Sequence, residues 1–350
     1  MGSNEDPGIG RPGRAFKVGI DCYGLKPLGL SPFELLDWAL INDAQGVQFS
    51  DVPAEAGDPG FLRELADYAR QNGLYLEWGG GQHIPFDLST GTPRDIRAVN
   101  RKAAEQAALM GVRTIRSCSG GLMRWNDNLP STEALLRETA KSLSAQDKVF
   151  RDHRVVLAIE THFEFTTHEL LRLFEMSGAE PGGGLGICLD TMNLLTMLED
   201  PVAATRRVLP WIVTTHVKDG GIRLAETGFV TFTAEAGEGI VDFPGIFEEL
   251  AGLDREVTLS IEDHGGDFDL PIFTPAFLEK FPDLDVRELA ALLKLAQRTG
   301  ARLEEGRLSV LDRADWPGVC EERIKRDLAT IKRMAASFSD ISLPRPDPRP

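Results

Sequence analysis

Eight short segments rich in apolar and β-branched residues recur along the chain, and patterns typical of helices separate them. They are residues 16–21, 46–50, 74–78, 112–118, 155–160, 185–190, 212–218 and 257–262. Several are nearly continuous apolar runs, as expected of strands that are covered on both faces. Because strands that alternate with helices form a parallel sheet, the chain predicts an α/β fold, closed or open. The count of eight favours the closed form, a (β/α)8 TIM barrel.

Glycine positions and helix starts agree with this organisation. The glycine run at 79–81 lacks the G-x-G-x-x-G spacing of a phosphate-binding loop, and we interpret it as a wide loop. Helix starts are predicted at Ser31, Thr92 and Thr166, where a hydroxyl residue is followed three positions later by a carboxylate. These starts place a helix after the first, third and fifth strands.

The ends of the chain and one long connection set the domain boundaries. We expect a disordered leader at 1–14, a single barrel domain at 15–338 and a tail at 339–350. Residues 267–315 form an insertion between strand eight and the last helix, with a helix of its own at 286–299. Loops that follow barrel strands lie on the catalytic face, and this one contains an apolar run from Phe268 to Phe277. We therefore predict that the insertion narrows the active site, in its own subunit or a neighbour's; a packed appendage on the flank is the alternative.

Composition restricts the partners and the compartment. The formal net charge of −16 disfavours nucleic acid and anionic membranes, since phosphate groups are bound by clustered Lys and Arg. No apolar run approaches the length of a membrane span, and the first residues lack the apolar segment of a signal peptide. The four cysteines include no C-x-x-C pair, which suits a reducing compartment. We expect a cytoplasmic homo-oligomer with neither nucleic-acid nor membrane partners.

Four consecutive predicted strands end in side chains that can bind a metal ion: Glu160, Asp190, His216 and Glu262. Alternation along each strand puts all four on a face where the preceding residue is small, as in the interior of a barrel. Three carboxylates crowded together require a nearby cation, because like charges at contact favour protonation. Mostly oxygen ligands with one histidine suit Mn²⁺, Mg²⁺ or Co²⁺ better than structural Zn²⁺. The sequence therefore predicts one divalent ion, with Mn²⁺ the first choice.

Lys218 lies two positions after His216, so it also points inward. A lysine beside a metal can hold a substrate oxyanion or carboxylate. A salt bridge with the adjacent Asp219 at the barrel rim is the alternative.

Histidines and a tryptophan form a further layer of candidates. His162 and His264 stand two positions after the two metal-binding glutamates and either contact the substrate or support the ligands. Trp78 and His83, at and after the third strand, are predicted to line a sugar pocket; an ordinary loop position is the alternative for His83.

Several motifs carry a family resemblance: Ile159-Glu160-Thr161-His162, Leu189-Asp190-Thr191-Met192-Asn193, His216-Val217-Lys218-Asp219, Gly237-Glu238-Gly239, Val241-Asp242-Phe243-Pro244 and Ser260-Ile261-Glu262. With them the chain resembles the xylose isomerase-like TIM barrel superfamily, also called the sugar phosphate isomerase/epimerase family. The resemblance covers roughly residues 16–265 and the final helix. It implies that the four strand-end residues bind Mn²⁺, Mg²⁺ or Co²⁺ and that the substrate is a small sugar-like molecule.

Two positions depart from the ketose 3-epimerases of that family. Asn193 stands where those enzymes have a histidine, and Lys218 replaces the second histidine of a His-x-His pair. The His-x-Lys-Asp form is similar to inosose dehydratases and to uncharacterised members. A lyase therefore stays in consideration beside an isomerase, and we assign Asn193 to substrate binding.

The hypothesised first step removes a proton from the carbon next to a carbonyl, and the metal stabilises the resulting enediolate. Glu160 or Glu262 is the expected base, and Lys218 and His264 are the other expected catalytic groups. Reprotonation gives a sugar or keto-sugar isomerase or epimerase. Loss of a β-substituent gives a lyase, namely a dehydratase, decarboxylase or deglycosidase acting on a 3-keto sugar or keto-inositol. The six histidines and the acidic charge disfavour a multi-zinc endonuclease, and a non-catalytic barrel subunit would be expected to have lost ligands.

Overall fold

The computed structural model describes residues 16–118, 123–127 and 129–338. The strands, in chain order, are β1 (Lys17–Asp21), β2 (Gly46–Phe49), β3 (Tyr75–Gly81), β4 (Thr114–Ser117), β5 (Val156–Glu160), β6 (Leu185–Asp190), β7 (Ile212–Val217), β8 (Asp219–Leu224), β9 (Phe229–Ala234), β10 (Thr258–Ile261) and β11 (Asp267–Leu270). β1 to β7 and β10 form a closed parallel barrel, in which β1 pairs with both β2 and β10. The predicted (β/α)8 barrel is confirmed, and each of the eight predicted segments overlaps one barrel strand, although β3 runs three residues beyond its segment.

Helices lie between the strands and cover much of the outside of the barrel. They are α1 (Pro32–Ile41), α2 (Pro59–Gln71), α3 (Arg97–Met110), α4 (Thr132–Ser144), α5 (Asp147–His153), α6 (Thr167–Ser177), α7 (Asn193–Thr196), α8 (Pro201–Val208), α9 (Phe243–Ala251), α10 (Pro275–Leu278), α11 (Val286–Glu304) and α12 (Trp316–Ala336). In the described ranges no helix combines the length and the apolar character that crossing a bilayer would need. The predicted leader and the tail at 339–350 lie outside the described residues.

Two of the three predicted helix starts are correct. Ser31 and Thr166 each form a reciprocal capping box with the glutamate three residues later. The start at Thr92 is wrong, because the chain there bridges back on itself and α3 begins only at Arg97. Asp95, which should have completed that box, instead accepts hydrogen bonds from the backbone and side chain of Arg97.

The glycines at 79–81 belong to β3, so their interpretation as a wide loop is wrong. A Cβ built at Gly79 would lie 2.3 Å from the Ser50 carbonyl oxygen, and one at Gly81 would lie 2.6 Å from a Leu157 methyl group. The glycines therefore let β3 run close to its neighbours inside the barrel wall.

A second, antiparallel sheet with the order β11-β9-β8 was not predicted from the sequence. β8 follows β7 after one residue and turns back as β9, and β11 follows β10 and pairs with β9. α11 packs on this sheet, where the Thr299 hydroxyl accepts a hydrogen bond from the Ile222 backbone N–H at 3.3 Å. Residues 267–315 thus start as an edge strand of this sheet. In the apolar run, Leu270, Ile272 and Phe277 are buried, whereas Phe273 is exposed.

Candidate metal centre and adjoining cavity

Four side chains from adjacent barrel strands meet at the carboxyl ends of those strands: Glu160, Asp190, His216 and Glu262. Each residue offers one potential ligand atom, and these four atoms all lie within 4.8 Å of one another. All four residues are buried. Parallel pairing sets this convergence, because Asp190 lies beside His216 in the register of β6 and β7. The structure therefore brings together the residues that the strand-end pattern selected, as a group that could bind a metal ion.

Hydrogen bonds fix which nitrogen of His216 faces the carboxylates. The Nδ1 atom lies 3.4 Å from Glu160 Oε1 and 3.7 Å from Glu262 Oε2, whereas Nε2 bonds to the side-chain oxygen of Gln48. The Gln48 amide nitrogen donates to Glu77 at 2.5 Å, so its oxygen must face the imidazole. Nε2 is therefore the nitrogen that donates to Gln48, and Nδ1 is the nitrogen that could bind a metal ion together with the carboxylates.

Positive side chains share the space with these carboxylates. Lys218 Nζ lies 2.8 Å from Asp190 Oδ2 and 2.6 Å from Glu262 Oε2, and Arg116 forms an ion pair with Glu160. Burial raises the pKa of Asp190, and the charge of Lys218 partly opposes that shift. Burial would also raise the pKa of Glu262, but Lys218 and His216 hold it well below its ordinary value. The buried carboxylates thus depend on cations, and the oxygen-rich set with one imidazole fits Mn²⁺, Mg²⁺ or Co²⁺.

The alternative for Lys218, a salt bridge with Asp219, is wrong. Asp219 points into the glycine-rich loop and accepts hydrogen bonds from the backbone N–H groups of Gly220, Gly237, Gly239 and Val241. A Cβ at Gly239 would lie 2.1 Å from Asp219 Oδ1, which explains a glycine at that position. Asp219 therefore organises the loop that follows β9, and Lys218 is left to face the cavity.

A cavity of about 400 Å³ adjoins the cluster. It is lined by Tyr23, Asp51, Arg116, Cys118, Glu160, His162, Phe163, Asn193, Lys218, Glu262, His264, Phe268 and Arg313. Four predicted site residues outside the ligand set, Lys218, His264, His162 and Asn193, are among them. Burial together with the charge of Lys218 lowers the pKa of His264 to about 4. The Asn193 amide lies 3.4 Å from Glu160 Oε1, so this residue touches the ligand cluster as well as the cavity.

Phe268 brings the segment after β10 into the wall of this cavity. Its ring lies 4.8 Å from that of Phe163, which in turn lies 4.0 Å from the imidazole of His162. The Trp125 indole N–H donates to the Asp269 carbonyl oxygen at 2.9 Å and ties the start of the segment to the barrel. The influence of the segment 267–315 on substrate choice stays a prediction.

Trp78 and His83 do not line this cavity, so the expectation of a sugar pocket around them is corrected. Glu77 points into the barrel interior, where Thr214 donates to it, and alternation along β3 therefore turns Trp78 outward. Trp78 is fully buried and donates to Gln106 at 3.2 Å. His83 is also fully buried, with Ser117 Oγ and Glu164 Oε1 each 2.8 Å from its ring nitrogens.

Three residues of the site, Arg116, Asp21 and Gln48, escaped the sequence analysis. Arg116 is a charged residue inside a predicted strand, and its pairing with Ala158 places it on the inward face of β4. Asp21 ends β1 as Glu160 ends β5, so the strand-end rule could have found it. Its Oδ2 lies 3.7 Å from the His216 imidazole, and burial raises the pKa of this carboxyl to about 6.

The family profile described as "Xylose isomerase-like TIM barrel" matches residues 28–296. The match covers most of the chain, and the protein belongs to this family. The resemblance seen in the sequence motifs is thereby confirmed.

The relatives include an uncharacterised protein, a decarboxylase and an epimerase. The "Uncharacterized protein YihM" of Escherichia coli is 24% identical over 259 residues, which are 73% of this chain and 72% of that protein. The "3-oxo-isoapionate decarboxylase" of Pectobacterium atrosepticum is 24% identical over 244 residues, 67% of this chain and 78% of that protein. Among solved structures, an L-ribulose 3-epimerase superposes with a TM-score of 0.54 at 20% identity, covering 83% of this chain and 96% of that one. Family membership therefore gives the fold and leaves the reaction open.

The hydrogen bond from His216 to Gln48 leads to a test of ligand positioning. We expect Gln48→Leu to weaken metal binding by about 10- to 100-fold, because the imidazole loses the partner that fixes its tautomer. Isothermal titration with Mn²⁺ measures the effect. Gln106→Leu is the control, because Gln106 is also a buried glutamine but contacts Trp78 and not the cluster. This variant should leave the metal affinity unchanged. Equal affinity in the Gln48 variant and the wild type would remove Gln48 from this role.

Proposed function

We propose that the protein is a divalent-metal-dependent isomerase or epimerase of a keto-sugar. The observation that carries the proposal is the convergence of four buried ligand groups beside a cavity of about 400 Å³, lined by two of them, Glu160 and Glu262. This volume lies in the range of small-molecule sites. A divalent ion held by these groups would supply Lewis-acid stabilisation for negative charge that develops on a carbonyl oxygen.

The residues that line the cavity support a proton-transfer reaction. Glu160 or Glu262 takes the proton from the carbon next to the carbonyl. The electron pair of the broken C–H bond forms a C=C bond, and the carbonyl oxygen becomes negatively charged. The Lys218 ammonium faces the same cavity and can hold that charge. Return of a proton to the same carbon from the opposite face gives an epimer. When the proton of the neighbouring hydroxyl moves to the former carbonyl oxygen and a proton is delivered to the former carbonyl carbon, the neighbouring carbon becomes the new carbonyl and the product is an isomer.

A lyase is the second candidate, and two observations favour it. The 3-oxo-isoapionate decarboxylase is a relative by sequence, and Lys218 takes the place of a histidine found in ketose 3-epimerases. In a decarboxylation the C–C bond to a carboxylate breaks, CO2 leaves, and the same carbonyl oxygen receives the electron pair. In a dehydration, proton removal is followed by loss of a β-hydroxyl group as water.

Metal removal followed by add-back tests the proposal. We expect chelator-treated protein to lose turnover and Mn²⁺, Mg²⁺ or Co²⁺ to restore it. NMR of a panel of keto-sugars and keto-inositols in deuterated water separates the two reactions. Isomerisation keeps the carbon skeleton and exchanges the hydrogen next to the carbonyl for deuterium, whereas a lyase releases water or CO2.

Elemental analysis of the same samples is the control, since it shows that the ion has been removed and then restored. Undiminished turnover in protein shown to be free of metal would contradict the proposal.

A further inference from the structure

Arg313 lines the same cavity as Glu262, although it comes from the far end of the segment that follows β10. It begins a short 3-10 helix, Arg313–Asp315, directly before α12. The Gly266 N–H donates to the Leu311 carbonyl oxygen at 2.9 Å, which ties this segment to the loop after β10. Gly266 has a φ of +98°, and a Cβ there would lie 3.3 Å from Arg313 Nε. The backbone on both sides therefore leaves room for this arginine beside the cavity.

The guanidinium of Arg313 donates to His264 Nδ1 at 2.7 Å. The same imidazole nitrogen lies 2.9 Å from the Gly265 carbonyl oxygen, so Arg313 is positioned against the loop that follows β10. Within residues 16–118, 123–127 and 129–338 no carboxylate lies within ion-pair distance of Arg313. Arg313 is an exposed residue, and it therefore lines the cavity without an anionic partner from the described part of the chain.

The other charged groups of the cavity outside the ligand cluster have partners. Arg116 and Lys218 each contact carboxylates of the metal cluster. Asp51, which also lines the cavity, pairs with Lys26 at 2.7 Å. An anionic substrate group would thus find its complement at Arg313.

We propose that the substrate is a keto-sugar acid whose carboxylate is bound by Arg313 while its carbonyl lies at the metal cluster. This assignment rests on the proposed function for the reacting carbonyl. One guanidinium matches a planar, singly charged carboxylate, to which it can donate two parallel hydrogen bonds. A sugar phosphate is the less suitable ligand, because phosphates are usually held by several backbone N–H groups or cations. The acid group and the reacting carbonyl then orient the sugar at two points.

Titration calorimetry of the metal-loaded protein with 5-keto-D-gluconate, D-fructose and D-fructose 6-phosphate tests the assignment. We expect the acid to bind about 10-fold more tightly than the neutral sugar, the ratio given by one charge-assisted contact. Arg313→Gln should abolish this preference, and the preference should weaken as ionic strength rises. Arg307→Gln is the matched control, because Arg307 lies in the same segment but pairs with Glu305.

Three outcomes would overturn the assignment: no preference for the acid in the wild type, an unchanged preference in Arg313→Gln, or tightest binding of the phosphate. Failure of the proposed function is recognisable separately. In that case turnover would survive metal removal while the Arg313-dependent preference for the acid persists. Conversely, metal-dependent turnover of a neutral keto-sugar, with no effect of Arg313→Gln, would leave the proposed function standing and exclude the acid.

Discussion

Replacing Glu262 with alanine is expected to abolish metal binding and to lower kcat/KM by about three orders of magnitude or more. Glu262 is both a member of the four-residue cluster and one of the two glutamates that line the cavity. Its loss therefore removes a ligand and a candidate base together. Elemental analysis of purified protein, combined with steady-state kinetics on the substrate identified by NMR, measures both effects.

Glu256→Ala is the matched control for this variant. Glu256 precedes the same strand but forms a surface ion pair with Lys17 at 3.0 Å, and such pairs contribute little to stability. The control should keep full metal content and turnover. Glu262→Gln retains the shape of the buried side chain, so it separates loss of the ligand from a folding defect. Unchanged metal content in both Glu262 variants would remove this residue from the centre.

Replacing Lys218 with methionine should lower kcat by about 10²- to 10³-fold, the usual effect of removing one group that stabilises developing negative charge. Methionine preserves most of the length of the side chain but has no charge. Lys218 contacts Asp190 and Glu262 without being a ligand, so the metal content should stay at the wild-type level.

Lys325→Met provides the comparison, since Lys325 pairs with glutamates on the exposed face of α12. Elemental analysis and steady-state rates are measured for both variants. Full turnover in Lys218→Met would exclude the lysine from the reaction. Loss of metal would instead assign it to holding the two carboxylates in place.

The barrel and its four convergent residues could be predicted from the sequence because both depend on local patterns. The strand and helix patterns repeat eight times along the chain. In a closed barrel, an inward-facing residue at the carboxyl end of a strand must point toward the centre of the barrel mouth. Glu160, Asp190, His216 and Glu262 were found in this way. Asp21 obeys the same rule, and it joins the other four only because closure of the barrel places β1 beside β10.

Tertiary structure alone decided which other side chains reach the site. Gln48 meets His216 across the barrel interior, and Arg313 reaches the cavity through pairing between β9 and β11 and the packing of α12. Trp78 was misplaced because Glu77 faces the barrel interior, and alternation along β3 turns the neighbouring indole ring toward the helices. Contacts between residues so far apart in the chain depend on strand register and loop packing, and neither leaves a periodic signal in the residues themselves. The sequence by itself determined the barrel and its cluster of four strand-end residues, whereas long-range packing determined the wall of the cavity.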